Sequence, residues 1–285
     1  MKNVKVILWG LGAMGGGIGK MLAKKKGVDI VGGIDIGDKI GKNLYDVVPG
    51  IVQGDRADVI VGTPDEVIVP GAADIVVVCT NSFTKDVFDK LIFVMERGMN
   101  VITSAEEMAY PQAQEPELAK KNGVSVMGTG INPGLIMDLL VILWTAACEE
   151  VNHITSRRVN SLSPFGPAVM EEQGIGMSVE DFNERKAKGT MAGHVGFAES
   201  VGMMCEALGW KLEDFGQDME PIITDVDRKS PYGFAPAGSV AGVAMKGWGI
   251  VDGERKLDMD HPQQIEPEQV GVQTGDYVII KGTPN

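Results

Sequence analysis

The sequence predicts an α/β fold in two parts: a doubly wound parallel sheet over residues 1–133, then a second, α+β domain with a mixed or antiparallel sheet over residues 134–285. Three observations predict it. Short apolar runs alternate with helix-period segments as far as about residue 133, as repeated βα units do. The first of these runs, residues 4–9, passes through Gly10-Leu11-Gly12-Ala13-Met14-Gly15 into a helical segment. Beyond residue 133 the pattern changes: strand-like pieces at 151–160, 220–228, 239–250 and 276–281 surround two clear helices, 178–188 and 196–208. That order suits a sheet with helices on one face and the other face open.

The glycine turn comes first along the chain. In a Gly-x-Gly-x-x-Gly turn the first glycine permits a tight bend, the second lets backbone approach a pyrophosphate and the third lets helix pack closely on strand. Gly10, Gly12 and Gly15 hold those places, with Ala13 and Met14 between them. The next apolar segment, 28–35, ends in Asp35, twenty residues past Gly15, where a carboxylate can accept from a ribose 2′-hydroxyl. Together these predict a Rossmann-type site for NAD. Lys39, in the loop that follows, leaves NADP open through a 2′-phosphate contact.

Residues 57–61 and 66–69 read as short strands or edges, and 73–80 as a strand buried on both faces. The carboxyl end of that strand carries Cys79, Thr80, Asn81 and Ser82, at the edge where ligands bind in open α/β sheets. These residues read equally as contacts for the nicotinamide half and as turn formers capping the helix 85–97. Strand 100–103 leads to Ser104, Glu106 and Glu107, and two acids there are the best candidates for proton transfer, unless they only dress a helix N-terminus. Strand 123–127 closes the first sheet, and a Gly-rich loop with Asn132 precedes a helix predicted over 135–147, with Pro133 in its first turn.

Composition narrows the partners. At 285 residues the chain is long for one core, so two domains are expected. The net charge of −13 disfavours a broad phosphate-backbone surface, so nucleic acid is not an expected partner. Cys79, Cys148 and Cys205 are widely spaced, and neither a disulfide framework nor a metal site is expected. No apolar run reaches membrane-spanning length and the first strand begins at once, which predicts a cytoplasmic protein without a membrane segment. The open sheet face predicts a homodimer.

In the second part, 161–167 reads as a pocket-edge loop, and His194 lies in a glycine-flanked loop before a helix, as active-site side chains often do. A dehydrogenase or a regulator that binds the cofactor without turnover would fit so far. A regulator calls for a DNA-binding element or basic face, and neither is visible in the sequence.

Several stretches then carry a resemblance. Trp9-Gly10-Leu11-Gly12-Ala13-Met14-Gly15, Ser104-Ala105-Glu106-Glu107-Met108-Ala109-Tyr110-Pro111, Gly130-Ile131-Asn132-Pro133-Gly134, Leu162-Ser163-Pro164-Phe165-Gly166-Pro167, Gly193-His194-Val195-Gly196-Phe197-Ala198-Glu199-Ser200 and His261-Pro262-Gln263-Gln264 resemble the 2,4-diaminopentanoate dehydrogenase family. Amine dehydrogenases that reduce simple ketones with ammonia are similar, and the N-terminal domain is similar to that of dihydrodipicolinate reductase. The reductase's own substrate motif, a His-His pair with a downstream lysine and Ser-Gly-Thr, is missing.

The resemblance implies NAD(P)-dependent oxidative deamination of a small amino-acid substrate, 2,4-diaminopentanoate, at C4, giving 2-amino-4-oxopentanoate and ammonia, in ornithine breakdown. It also implies that Glu106 or Glu107 is the acid/base. A carboxylate with its ordinary pKa of about 4.3 is a weak base, so partial burial of the acting glutamate is expected. Trp144 and Phe165 are available as an apolar wall, and Asn160, His194, Arg157 and Arg158 as contacts for a substrate carboxylate and α-amine. An amine dehydrogenase acting on ketones without a carboxylate stays open. Family members continue beyond Lys281-Gly282-Thr283-Pro284-Asn285 with a segment that returns to the first domain, so a shorter product or a fragment is expected.

Overall fold

The computed structural model describes residues 2–110, 124–191 and 193–284, and its contacts separate into two compact units, Met1–Ile131 and Asn132–Asn285. Pro111 and Gly123, within two of the stretches above, lie outside the described residues.

The first unit is a six-stranded parallel sheet. Its strands are β1 (Val4–Trp9), β2 (Val28–Ile34), β3 (Val61–Gly62), β4 (Ile75–Val78), β5 (Asn100–Thr103) and β6 (Val126–Gly128). They lie in the order β3-β2-β1-β4-β5-β6, which is the doubly wound order whose switch point falls between β1 and β4. The helices are α1 (Ala13–Ala23), α2 (Leu44–Val47), α3 (Pro64–Val67) and α4 (Thr84–Met95). β4 explains its own composition. Val76 and Val78 enter one core with Val87, Leu91 and Val94 of α4, whereas Val77 enters the core on the other face with Val6 and Leu8. A strand buried on both sides cannot alternate with polar residues.

The strands expected at 57–61 and 66–69 are corrected. Only Val61–Gly62 pairs in the sheet, while Pro64–Val67 is helical. The cause is local: Pro64 occupies the first helical position, and the Glu66 carboxylate accepts from both the backbone N–H and the hydroxyl of Thr63, each at 2.8 Å. That pair of bonds, with Glu66 in the acceptor place of a capping box, nucleates a helical turn despite the β-branched residues after it.

The second unit holds a five-stranded mixed sheet in the order β13-β7-β12-β11-β8. The strands are β7 (Glu150–Ser161), β8 (Asp214–Ile223), β11 (Val240–Val251), β12 (Glu254–Gln264) and β13 (Gly275–Thr283), with β9 (Arg228–Lys229) and β10 (Phe234–Ala235) forming a separate small ladder. α5 (Leu139–Thr145), α6 (Pro167–Glu172), α7 (Val179–Ala187) and α8 (Phe197–Leu208) complete the unit. Phe182 of α7 and Phe197, Val201 and Met204 of α8 share one core with Val243, Met245, Leu257 and Met259 of the sheet. Among the described residues no helix is long and apolar enough to cross a membrane.

Three expectations change here. The strand at 220–228 is displaced to Asp214–Ile223, where its register follows β11 from Asp214 opposite Ile250 to Ile223 opposite Val240. β12, absent from the sequence reading, sits between β7 and β11. Its alternate residues Leu257, Met259 and His261 are buried, but five charged residues between Glu254 and Asp260 and Pro262 hide the alternation. The ladder from β12 to β7 skips His261 and Pro262, as a residue without an N–H requires. The His261 Nδ1–H donates to the Arg158 carbonyl at 2.9 Å, supplying the bond that Pro262 cannot.

The helix expected over 135–147 begins only at Leu139, so Pro133 is outside its first turn. Asp138 sets the boundary. Its fully buried carboxylate accepts from Gly134 N at 2.7 Å, from Leu139 N and from Ser200 Oγ of α8 at 2.8 Å. Buried donors left without an acceptor cost about 1–3 kcal/mol each. Asp138→Ala is therefore expected to lower stability by about 3 kcal/mol, and Asp138→Asn by less; urea unfolding of both variants checks this.

Candidate active site

The glycine turn does what its spacing requires. Gly10 has φ +96°, and a Cβ on it would lie 2.6 Å from the Cys79 carbonyl oxygen. At Gly15 a Cβ would lie 1.8 Å from the Gly10 carbonyl oxygen, so helix and strand meet backbone to backbone. Gly12 is the opposite case: it is exposed, and a Cβ there would meet nothing within 4 Å. It is also the N-cap of α1, with no side-chain cap bond and no acid in the first turn. Exposed Ala13 and Met14 follow it. Uncapped N–H groups at the positive end of a helix, with open space before them, fit a pyrophosphate.

Asp35 sits one residue past β2. Its Oδ2 accepts from Leu11 N at 2.8 Å and from Lys39 Nζ at 2.7 Å, and its Oδ1 from Ile36 N at 2.8 Å. Burial alone would raise its pKa, but the Lys39 bond and the two backbone amides outweigh it and hold the carboxyl below the usual range. Lys39 also donates to the Leu11 carbonyl at 3.2 Å, so the ammonium spans the turn and the acid. The 3-10 turn Gly37–Lys39 brings it back there.

At the carboxyl end of β4 and β5, Met14, Cys79, Thr80, Asn81, Ser82, Ser104 and Glu106 line one cavity of about 170 Å³. Seven of the residues expected at the site are thus brought together. Burial pushes the Cys79 thiol up, against a bond from Ser104, which leaves it a poor nucleophile at neutral pH.

Glu106 and Glu107 open the 3-10 turn Glu106–Ala109, and both are half-buried. Their side chains part. Glu106 lines the cavity, whereas Glu107 Oε2 accepts from Thr84 N at 2.6 Å and Glu107 N donates to the Ser82 carbonyl at 3.3 Å. Glu107 therefore serves the N-terminus of α4. Thr80, Asn81 and Ser82 do not: the N-cap of α4 is Phe83, without a side-chain bond, and the capping role open to them in the sequence falls to Glu107.

Two residues behind this wall escape the sequence reading. Lys90 reaches Thr80 and Asn81 from α4, and no pattern marks one lysine of an exposed helix face for that task. Gly128 of β6 lies under the turn that bears Glu106, where a Cβ would be 1.6 Å from the Met108 carbonyl oxygen.

In the second unit the expected substrate residues are dispersed. His194 stacks edge-on to His261 with centroids 4.8 Å apart and tilts over Phe197 at 5.1 Å. Its Nε2 is buried without a partner among the described residues. Burial, then His261 and Arg158, holds the His194 pKa well below the usual imidazole range, and burial takes His261 to about 4. Both rings are thus neutral at pH 7. Both polar side-chain atoms of Asn132 are likewise buried and unpartnered. Asn160 is half-buried in β7, opposite Gln263. Arg157 pairs with Asp260 at 3.2 Å and Arg158 with Asp276 at 3.6 Å. Trp144 is 59% exposed and Phe165 41%. Trp144 lines another cavity, of about 530 Å³, with Leu140, Cys148, Val278 and Ile280, and Phe165 does not line it.

Residues 135–285 match the model of the 2,4-diaminopentanoate dehydrogenase C-terminal domain. The whole chain is similar to a 2,4-diaminopentanoate dehydrogenase of Acetoanaerobium sticklandii, 67% identical over 293 residues, covering 100% of this chain and 83% of that protein. Among solved structures, an amine dehydrogenase from Mycobacterium smegmatis superposes with a TM-score of 0.83 at 23% identity, over 99% of this chain and 84% of the other. A myo-inositol dehydrogenase from Lactobacillus casei, in complex with NAD(H) and myo-inositol, gives 0.57 at 11% identity, over 98% and 72%. These two likenesses share the fold.

Proposed function

The chain belongs to the 2,4-diaminopentanoate dehydrogenase family, and from that premise we propose that it oxidatively deaminates 2,4-diaminopentanoate at C4, with Glu106 as the acid/base. Amine, water and NAD(P)+ become ketone, ammonia, NAD(P)H and a proton. The cofactor, when bound, accepts the hydride. The residues present fit it: the α1 N-terminus at Gly12 would hold the pyrophosphate, Asp35 the adenosine ribose, and Thr80, Asn81, Ser82 and Ser104 the nicotinamide half.

The observation that carries the reading is the division of labour between the two acids: Glu106 lines the cavity and Glu107 caps α4. A protonated amine has no lone pair to support loss of hydride from its carbon. Glu106 removes that proton and passes it to solvent, and the carboxylate so restored then takes a proton from the water that adds to the C=N carbon. Neutral His194, whose Nε2 is buried, and Asn160, both half-buried, are the candidates for the substrate's polar groups. A homodimer, through the second sheet's open face, belongs to the same reading.

Steady-state reduction of NAD and NADP with 2,4-diaminopentanoate, alanine and simple amines tests the proposal. Turnover confined to the diamine is expected. Equal rates with simple amines would assign the amine dehydrogenase reading instead, and tight cofactor binding without turnover of any amine would assign a regulator.

Lys39 also makes a prediction about cofactor choice. Its ammonium neutralises Asp35 and lies half-exposed at the ribose end of the turn. Lys39→Ala is expected to cut kcat/KM for NADP by about tenfold, the worth of one charge-assisted hydrogen bond, and to change that for NAD much less. An unchanged NADP-to-NAD ratio would restrict Lys39 to holding the loop.

A further inference from the structure

Lys90 of α4 has its ammonium on three acceptors: Thr80 Oγ1 at 3.1 Å, Asn81 Oδ1 at 2.9 Å and the Asp86 carbonyl at 2.9 Å. A lysine ammonium has three donors and no acceptor, so each N–H has one partner. Most lysines on a helix face stay in water. This one is half-buried, and burial draws its pKa down from the usual range against the pull of Asp86.

Two of the three partners are side chains of the Glu106 cavity, and the contact fixes which way they are polarised. An asparagine amide can offer oxygen or nitrogen to a neighbour, but only oxygen can face an ammonium. With Oδ1 on Lys90, the Asn81 Nδ2 donors face elsewhere. The Thr80 hydroxyl has a lone pair engaged by Lys90, so its single proton is left to donate. A stretch of wall that could have either sign becomes a row of donors. The phosphate oxygens, the carboxamide oxygen and the hydroxyl lone pairs of a dinucleotide are acceptors that such donors would meet.

We propose that Lys90 is a positioning residue for the cofactor, holding Thr80 and Asn81 as hydrogen-bond donors to dinucleotide oxygens. It acts through those two side chains and does not line the cavity itself. The inference rests on the reading of this cavity as part of the cofactor site.

The test is a mutant cycle on the full chain, read by NADH fluorescence titration, by KM for cofactor and for diamine, by kcat and by thermal midpoint. Lys90→Met is expected to weaken NADH binding about tenfold and to raise the cofactor KM, with the diamine KM and the thermal midpoint held. Lys90→Arg, which restores the donors, is expected to recover most of the affinity. In a Thr80→Val/Asn81→Ala background, itself weakened, Lys90→Met is expected to add no further loss. Unchanged NADH affinity in Lys90→Met, beside a weakened Thr80→Val/Asn81→Ala, would overturn the role of Lys90 alone. So would a tenfold loss that persists in that background. Wild-type affinity in Thr80→Val/Asn81→Ala would overturn the cofactor reading of the cavity and the inference with it.

Discussion

Replacing Glu106 with glutamine is expected to abolish turnover while cofactor binding stays intact, and replacing Glu107 with glutamine to spare both. The two changes are chemically identical and one residue apart, so the contrast isolates position. Glu106 lines the cavity at the end of β5, and its amide analogue cannot take a proton from an ammonium. Loss of a positioned general base costs about 10²–10⁴-fold in rate. Glu107 has its Oε2 on Thr84 N at 2.6 Å, and a glutamine oxygen can accept the same bond. Glu107→Ala removes the acceptor and is expected to cost about 1 kcal/mol of stability, as loss of a helix cap does, with most of the rate retained. Stopped-flow and steady-state rates beside NADH titrations check the pair. Full activity in Glu106→Gln would refute the assignment, and equal loss in both would return the chemistry to the pair.

That contrast also shows where the sequence stops being informative. The dinucleotide turn is legible because each glycine answers a backbone constraint local to it, and Asp35 because its spacing from Gly15 is set by one helix and one strand. β4 is legible because burial on two faces leaves a continuous apolar run. Glu106 and Glu107 are not separable in this way. In a 3-10 turn adjacent side chains diverge by about 120°, and which one meets the cavity depends on where Thr84 N lies, more than twenty residues back. β12 fails for another reason: its polar positions carry Asp258 and Asp260, which pair with His153 and Arg157 of β7 in the folded sheet. Charge that is satisfied across strands looks like loop in one dimension.

The His261-Pro262 stretch makes the same point from the other side. It is one of the stretches that carry the resemblance, and its first residue lies against His194. Yet the bond from His261 Nδ1 to the Arg158 carbonyl fills the gap that Pro262 leaves in a central ladder. A buried, neutral imidazole with one nitrogen so committed is first a backbone partner. His194, with Nε2 buried and unpartnered, is the ring of the two with a hydrogen bond still to make.

Gly128→Ala is expected to lower kcat by about 10²-fold without touching a group that reacts. Gly128 ends β6, and the Met108 carbonyl lies over it so closely that a methyl group would fall 1.6 Å from the oxygen and 2.1 Å from the carbon. Neither atom can yield alone, since both belong to the backbone of the turn Glu106–Ala109 and Met108 is anchored in the core beside Val101 and Ala105. The turn must lift from the strand and carry Glu106 with it. A displacement of about 1 Å at a reacting group is enough to cost 10²-fold. The glycines at Gly10 and Gly15 stand at the other end of the site, so NADH affinity should fall far less than kcat in Gly128→Ala. Rates, NADH titration and thermal midpoint measured together give the answer. A variant with wild-type kcat would mean that the turn can shift without moving Glu106, and loss of NADH binding together with kcat would mean that the whole first unit had been disturbed.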